Sequence, residues 1–537
     1  MKQPRSLSRR EFAVGGSRLV MAGTAALSMR MVHANPIDAP HTTSGIMSGD
    51  VRNHTAMIWG KCDRDAKMWV EWVAEGGKSS PRRVAGPSVS AASDFTGKLQ
   101  IGELPSGASI QYHVWFESAG GGSSEPIAGR LIVPWDQHVP GDESEDVFFA
   151  WSGDTAGQGF GINPEWGGMK IYSAIAKLEP QFFVHSGDMI YADNPIPAEI
   201  RLNDGSIWKN IVTPAKSHAA ASIDDFRGNY LYNLMDEHMR SFHANVPQYV
   251  LWDDHETTNN WYPDQELALR KDAKAYESMK FGRELAENAK QAFFEFTPIE
   301  QPVPGQRRVY RSFSRGPLAE LFMLDLRSYR GPNTPNMQES RSNESTILGD
   351  EQLHWLKQQL LACKSTWKII CSDMPLGVII ADGMEGKAFY EAVANRDPGM
   401  PRGREIEMAD LLSWMKTHAI GNVIWLTADI HYAAAHRYDP KRAADKDAFL
   451  PFWEFVAGPL HAGTFGPNEL DGTFGPEVKF QWAPEKGTKQ PLAPSDGMQS
   501  FGTVRVDAKS KVLTVELRDL EGRVLPGGRF ELSPEKA

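Results

Sequence analysis

Between residues 40 and 135 the chain reads as short strands. In IQYHVWF, Ile110, Tyr112, Val114 and Phe116 alternate with Gln111, His113 and Trp115, the period of two expected of a half-buried strand. AMIWGKC and KMWVEWV are similarly rich in β-branched and aromatic residues, with Gly, Pro and Ser punctuating the gaps. The pattern predicts a small all-β sandwich, immunoglobulin- or fibronectin-like. VPWDQHVPGDESED then reads as a linker.

From Asp146 the pattern changes, and it stays changed to residue 535. DVFFAWSGD is an apolar run ending in Asp154; a glycine-rich loop and the helical MKIYSAIAKL lead to QFFVHSGD, ending in Asp188. A strand–loop–helix–strand unit of this kind implies a parallel pair. Further apolar runs are VPQYVLW, ELFMLDLR, WKIICSDM, NVIWLTADIH and FWEFVAGP, with helical EQLHWLKQQLLA and MADLLSWMKTHA between some of them. Buried strands alternating with helices predict an α/β domain with a large mixed sheet. Polar, partly helical insertions at 192–245 and 262–300 are expected to form the rim of a cleft, and the closing TVRVDAKSKVLTVELRDLEG returns to strands.

Several of these strands end in the same chemistry: WSGD in Asp154, HSGD in Asp188, LWDD in Asp254, and WLTAD in Asp429 with His431 two residues on. Ligands of open α/β sheets bind beyond the carboxyl ends of the strands. Any one Asp there is ordinarily an N-cap or turn residue. Four, each behind an apolar run, would repel one another and resist desolvation unless cations sat between them. A dinuclear metal centre accounts for all four, and the carboxylate and imidazole donors suit hard or borderline cations. Two metals about 3.5–4 Å apart can present an activated hydroxide and clamp phosphate oxygens for in-line displacement. His255, with a pKa near working pH, is then the natural acid for the departing alkoxide.

The N-terminus adds an address. SLSRREFAVGG carries the twin arginines Arg9 and Arg10, and a small-residue, modestly apolar run ends in VHA at Ala34. Residues 1–34 are expected to be a twin-arginine signal peptide, read by the export machinery that carries folded proteins to the periplasm or the exterior. The net charge of −11, which loss of that segment makes more negative, argues against a nucleic-acid partner. With Cys62, Cys363 and Cys371 the only cysteines and no CxxC spacing, neither a disulfide framework nor a zinc ribbon is indicated. No later run is long and apolar enough to predict a transmembrane segment.

GDxxGQG, HSGDMIYAD, WDDHExxNNW and LTADIHY, in that order, resemble the alkaline phosphatase D (PhoD-like) family of metallophosphoesterases, as do MLDLRSYR, LGDEQLHWLKQQL and EFVAGPLHAGTFGP. The resemblance runs from near residue 45 almost to the end. It implies a four-layer α/β sandwich with mixed sheets preceded by a β domain, a metal centre of iron and calcium, and hydrolysis of phosphomonoesters and often phosphodiesters. By the same resemblance Asp188 is the carboxylate that bridges both metals and Tyr191 the tyrosine that ligates iron. Asp254 is a ligand beside the catalytic His255, and Asp429 and His431 are the final ligand pair. Asn259 and Asn260 match an asparagine pair; Asn260 is placed in the metal set, which Asp154 completes. Where iron- and calcium-binding members can have a cysteine, this chain has Asp154, a change that could admit manganese, zinc or magnesium.

Other groups are ambiguous from sequence. Arg327 or Arg330 in LDLRSYR could fork onto a substrate phosphate, with Arg327 the candidate catalytic residue, or could pair with the sheet's own carboxylates. Glu256 either orients His255 or caps the next turn. Asp373 is an extra ligand or a turn residue, Cys371 a buried thiol, and Asp253 has no assigned role. The expected activity is an exported, metal-dependent phosphoesterase acting on small organic phosphate esters, lipid head groups or nucleotides. A phospholipase D-type phosphodiesterase on the same scaffold is one alternative; a non-catalytic metal- or phosphate-binding surface protein is another.

Overall fold

The computed structural model describes residues 39–535, apart from 77–79, 137–144, 302, 304 and 383–387. The expected signal peptide and the middle of the expected linker lie outside the described residues.

Two large sheets form the centre. One has nine strands in the order Val524–Leu532, Leu513–Asp519, Ser500–Val506, Val147–Ser152, Phe183–Ser186, Gln248–Leu251, Ile46–Arg52, Thr55–Lys61, Thr96–Ile101. The other has seven, in the order Arg311–Arg315, Ala319–Met323, Trp367–Cys371, Val423–Thr427, Phe452–Val456, Ala433–Tyr438, Pro476–Trp482. Both are mixed. The strand–helix–strand unit gives the expected parallel pair, with Ala150 opposite Phe183, and the C-terminal strands join antiparallel at the sheet's edge.

Strand alternation builds the layers. Trp151, Val184, Leu321, Met323, Ile369 and Leu426 belong to one apolar core, which fills the space between the sheets. Their neighbours point the other way. Ala150 and Phe183 pack with Ile171, Tyr172 and Phe242 of helices Ile171–Ala176 and Glu237–Asn245. Phe322, Ile370 and Trp425 pack with Leu353, Leu356, Met408 and Leu411 of helices Asp350–Ala362 and Glu405–Thr417. Strands buried on both faces read as continuous apolar runs, as the sequence does here. Helix, sheet, sheet and helix make the four layers.

In the N-terminal region Ile110, Tyr112, Val114 and Phe116 face inward as expected, in a four-stranded sheet packed on the strands 46–52, 55–61 and 96–101. Those last three strands also extend the nine-stranded sheet, through a parallel contact at Gly49 opposite Gln248. The β-sandwich and the α/β body therefore share a sheet. The backbones approach so closely there that a Cβ on Gly49 would meet the Gln248 carbonyl oxygen and the Pro298 ring. The insertions at 192–245 and 262–300 carry helices Ile223–Asn233, Glu237–Asn245 and Gly282–Phe296. They brace the site from behind and, contrary to expectation, supply none of the residues lining its pocket: Asn233 Nδ2 holds the Met189 carbonyl and Lys216 Nζ, at 2.7 Å, that of Tyr191.

Gly49→Ala should overpack this junction and cost about 1–3 kcal/mol, read as a fall in the urea unfolding midpoint. A wild-type midpoint would show that the shared sheet is not tightly packed at Gly49.

Candidate metal centre

The expected ligands converge at the carboxyl ends of the central strands. Asp154 follows the strand Val147–Ser152, Asp188 follows Phe183–Ser186, Asp254 follows Gln248–Leu251, and Asp429 follows Val423–Thr427. Asp154, Asp188 and His431 offer one ligand atom each within a 4.8 Å span, and so do Asp188, Asp254 and His255. Asp188 is common to both groups, the placement a bridging carboxylate requires. Asp253, Asp254 and Asp429 form a third such group. The Tyr191 hydroxyl lies 2.8 Å from His431 Nε2, beside the first group.

Backbone conformation aims these side chains. Asp154, Asp188, Asn260, Asp429 and His431 have φ of 66°, 52°, 56°, 67° and 59°, the left-handed region that non-glycine residues enter at a cost. Asn and Asp tolerate it best; here it turns each chain sharply off its strand so that the carboxylates face one another. Two glycines make room. A Cβ on Gly187 (φ 102°) would strike Asp253, and one on Gly157 would enter the Tyr191 ring, so the glycine-rich loop passes directly against a site residue.

The electrostatics call for cations. Both carboxylate oxygens of Asp154 are buried without a hydrogen-bond partner. Burial, reinforced by neighbouring carboxylates, pushes the acids of Asp154, Asp188 and Asp429 well above the usual range. Burial and the adjacent Asp188 and Asp154 raise Tyr191 in the same way, and burial lowers His431 to about 4. A neutral imidazole is a metal donor in its binding form, and a buried carboxyl becomes one when a cation displaces its proton. Cations between the acids would also remove the repulsion and favour the phenolate. The donor set fits a multinuclear centre.

His255 is held beside Asp188 and Asp254. Its Nδ1 lies 2.6 Å from Asp193 Oδ1, its backbone N–H donates to Asp188 Oδ1 at 3.1 Å, and its ring packs 4.3 Å from that of Tyr191. Burial alone would lower its pKa, but Asp193, Asp254 and Asp188 outweigh it and hold the imidazole well above its usual value. Asp193, five residues beyond Asp188 in HSGDMIYAD, is the orienting group that sequence reasoning missed, because a lone Asp in a turn carries no distinguishing signal. Its second oxygen accepts the Asn259 N–H at 2.8 Å.

Glu256 takes neither expected role, holding backbone that precedes it and not the turn that follows. Its carboxylate accepts the N–H groups of Asp188, Met189 and Asp253 at 3.1, 2.5 and 2.7 Å and does not orient the imidazole. Burial still pushes its acid up to about 7 against those three donors. Of the asparagines, Asn260 is buried and donates its N–H to Asp254 Oδ2 at 2.6 Å, whereas Asn259 is exposed on the pocket.

Arg327 requires a correction. Its side chain is fully buried and paired with Asp253, Asp373 and Glu391, with Nη2 at 3.9 Å from both Asp254 and Asp429. It is committed to the sheet's own carboxylates and does not line the pocket. Arg330 is buried too, bonded to Asn333 and the Glu391 carbonyl. The same pairing assigns Asp253 and Asp373 as counter-ions. Cys371 lies in the apolar core between the sheets, apart from the ligands. His185 bonds Thr155, and His238 bonds Ser173.

The site opens on a pocket of about 280 Å³, lined by Asp188, Asp254, His255, Asn260, Asp429 and His431 together with residues of three loops. Arg327→Met should destabilise the fold by about 3–5 kcal/mol, because it leaves buried acids uncompensated; Arg327→Lys should recover only part of that, lacking the fork. Thermal unfolding at fixed metal concentration reads this. Unchanged stability with a raised KM would instead restore Arg327 to the substrate.

Comparison with known proteins agrees with this geometry. Residues 149–517 match the family model of the PhoD-like phosphatases, and residues 26–133 match that of the PhoD-like phosphatase N-terminal domain. Alkaline phosphatase D of Bacillus subtilis (strain 168) is 24% identical over 506 residues, 88% of this chain and 79% of that one. Among solved structures, that of PhoD aligns with a TM-score of 0.66 at 17% identity, over 95% of this chain and 94% of its own. Purple acid phosphatase PPD1 from yellow lupin (Lupinus luteus) seeds aligns with a TM-score of 0.54 at 14% identity, over 92% and 74%. The chain belongs to the PhoD-like phosphatase family.

Proposed function

We propose that this metal-dependent phosphatase hydrolyses small phosphomonoesters and phosphodiesters, with His255 as the acid for the departing alcohol and Asp193 as its positioning partner. The observation that carries this is Asp188 placed within ligand distance of Asp154 and His431 and also of Asp254, with the Asp193–His255 contact of 2.6 Å beside them. When bound, the metals supply Lewis-acid neutralisation of phosphate oxygens and a water acidic enough to attack at neutral pH. Asp154, Asp188, Tyr191, Asp254, Asn260, Asp429 and His431 would hold them. With Nδ1–H fixed on Asp193, the proton to be delivered sits on His255 Nε2, and the Asp193 carboxylate 2.6 Å away favours the charged ring.

Ferric iron suits the phenolate of Tyr191 and calcium suits the carboxylates and the Asn260 amide, in line with the family resemblance. Asp154 is an all-oxygen donor, so manganese, zinc and magnesium also match the set. The reading includes export by the twin-arginine route, supported by Arg9 and Arg10, to the periplasm or beyond.

His255→Ala should lower kcat by about 10²–10⁴ while elemental analysis finds the metals still bound, and Asp193→Asn should lower kcat with little change in KM. A kcat within a few-fold of wild type for His255→Ala would remove it as the acid. Asp188→Asn should lose metal and activity together; full metal content in that variant would sink the bridging role, and phosphate release that survives a strong chelator would sink metal dependence altogether.

A further inference from the structure

Arg327 and Arg330 are engaged inside the fold, and among the described residues that line the pocket none is Lys or Arg. A phosphate oxygen that the metals do not reach must then be met by an uncharged donor. Four side-chain amides line the pocket: Gln158, Asn259, Asn260 and Asn468. Two are already engaged, Asn260 Nδ2 with Asp382 at 3.1 Å and Asn468 Nδ2 with the Ile379 carbonyl at 3.2 Å. The side chains of Gln158 and Asn259 have no hydrogen-bond partner among the described residues. Asn259 accompanies the acid, since its N–H donates to the same Asp193 that holds His255. Gln158 accompanies Tyr191 and His431. A Cβ on Gly157 would enter the Tyr191 ring, and one on Gly463, whose carbonyl contacts His431 Nδ1, would lie 3.0 Å from that of Gln158.

The backbone singles out Gln158. Its φ is 60°, in the left-handed region, and it lies between Gly157 and Gly159, where a third glycine would remove the strain. The loop is pinned on both sides of it. The Ala156 N–H donates to the His461 carbonyl at 2.8 Å, Asn210 Nδ2 donates to the Gly159 carbonyl at 2.9 Å, and the Gly161 N–H donates to Asn210 Oδ1 at 2.8 Å. A side chain kept at a conformational cost, half-buried in the pocket wall and bonded to nothing in the protein, is placed for what enters the pocket.

The phosphoryl group supplies the complement. A phosphomonoester has three non-bridging oxygens that share its charge, and a diester has two; in the diester the third position is an uncharged ester oxygen. A hydrogen bond to a charged acceptor is the stronger one. Resting on the phosphoesterase reading, we propose that Gln158 is a specificity-determining residue whose amide donates to the third non-bridging oxygen and so favours monoesters over diesters. Hydrolysis adds water across the ester P–O bond: phosphorus takes the hydroxyl, the alcohol leaves with the proton from His255, and the water's remaining proton makes good that loss. Gln158 exchanges no proton.

The test compares 4-nitrophenyl phosphate with bis(4-nitrophenyl) phosphate on the metal-loaded full chain, with metal content matched by elemental analysis. Gln158→Gly should lower kcat/KM on the monoester by about ten- to a hundredfold and on the diester by no more than about fivefold. A monoester-to-diester ratio within about twofold of wild type, equal loss on both included, overturns the proposal. Gln158→Glu keeps the length and replaces the donor with an anion, so it should lose at least as much on the monoester; wild-type activity there overturns the donor role. Gln158→Gly should unfold at the wild-type temperature or above, because it relieves the left-handed strain, and a fall of several degrees would make the amide a structural tie instead. Calorimetry with inorganic phosphate and dimethyl phosphate gives an arm independent of turnover: Gln158→Gly should weaken phosphate about tenfold and leave dimethyl phosphate nearly unchanged. Phosphate binding that depends on Gln158 in a protein that hydrolyses neither ester would sustain the donor and sink the phosphoesterase reading. Hydrolysis with phosphate affinity indifferent to Gln158 would sink the donor alone.

Discussion

The repulsion among carboxylates buried at the ends of parallel strands governs this structure. Two unit charges about 4 Å apart repel by about 4 kcal/mol at an effective dielectric of 20, and each also loses its hydration. Ligand atoms of Asp154, Asp188 and His431, and again of Asp188, Asp254 and His255, fall within 4.8 Å of one another. No fold of ordinary stability holds such groups ionised without positive charge among them. The chain answers in two ways. On the inner side it supplies its own cation, Arg327, against Asp253, Asp373 and Glu391. On the outer side that cation reaches only to 3.9 Å from Asp254 and Asp429, and the carboxylate oxygens of Asp154 have no hydrogen-bond partner, a setting that suits metal ions.

That division gives the site its direction. A guanidinium is permanent and fills its space, so the acids around it are structural. Metal ions keep coordination positions open to water and substrate, so the acids around them are functional. Asp253 and Asp254 are adjacent in sequence, yet Asp253 takes Arg327 Nε at 2.6 Å whereas Asp254 stands 3.9 Å from Nη2 and lines the pocket. The left-handed backbone at Asp154, Asp188, Asp429 and His431 serves the same end, turning side chains off the strand axes toward a common point. Backbone strain of this kind persists only where the surrounding packing over-determines it. The doubly buried strands and the core between the sheets provide that packing.

Much of this was legible in the sequence, for reasons of period and position. Strands buried on both faces appear as unbroken apolar runs, so their ends, and the aspartates there, could be located without coordinates. The alternation of Ile110, Tyr112, Val114 and Phe116 likewise gave the inner face of the β-sandwich. What could not be read depends on which residues meet across the fold. LDLRSYR offers the same guanidinium whether it faces a substrate or Asp253, and only the crossing of its strand beneath the site decides. Asp193 looked like a turn residue because its partner His255 is 62 residues away. Gly49 gave no sign that the two β regions share a sheet, since that contact is a single parallel register point.

The arrangement also separates chemistry from selectivity. The ligands and the Asp193–His255 pair stand at strand ends braced from behind by the polar insertions, through Asn233 on Met189 and Lys216 on Tyr191. The rest of the pocket wall comes from other segments: Gln158 in the glycine-rich loop, the stretch from Ile380 to Glu391, and Phe465 with Asn468. Substitutions there leave the metal-holding strands untouched. A scaffold built this way can keep one hydrolytic centre while its loops change what the centre accepts.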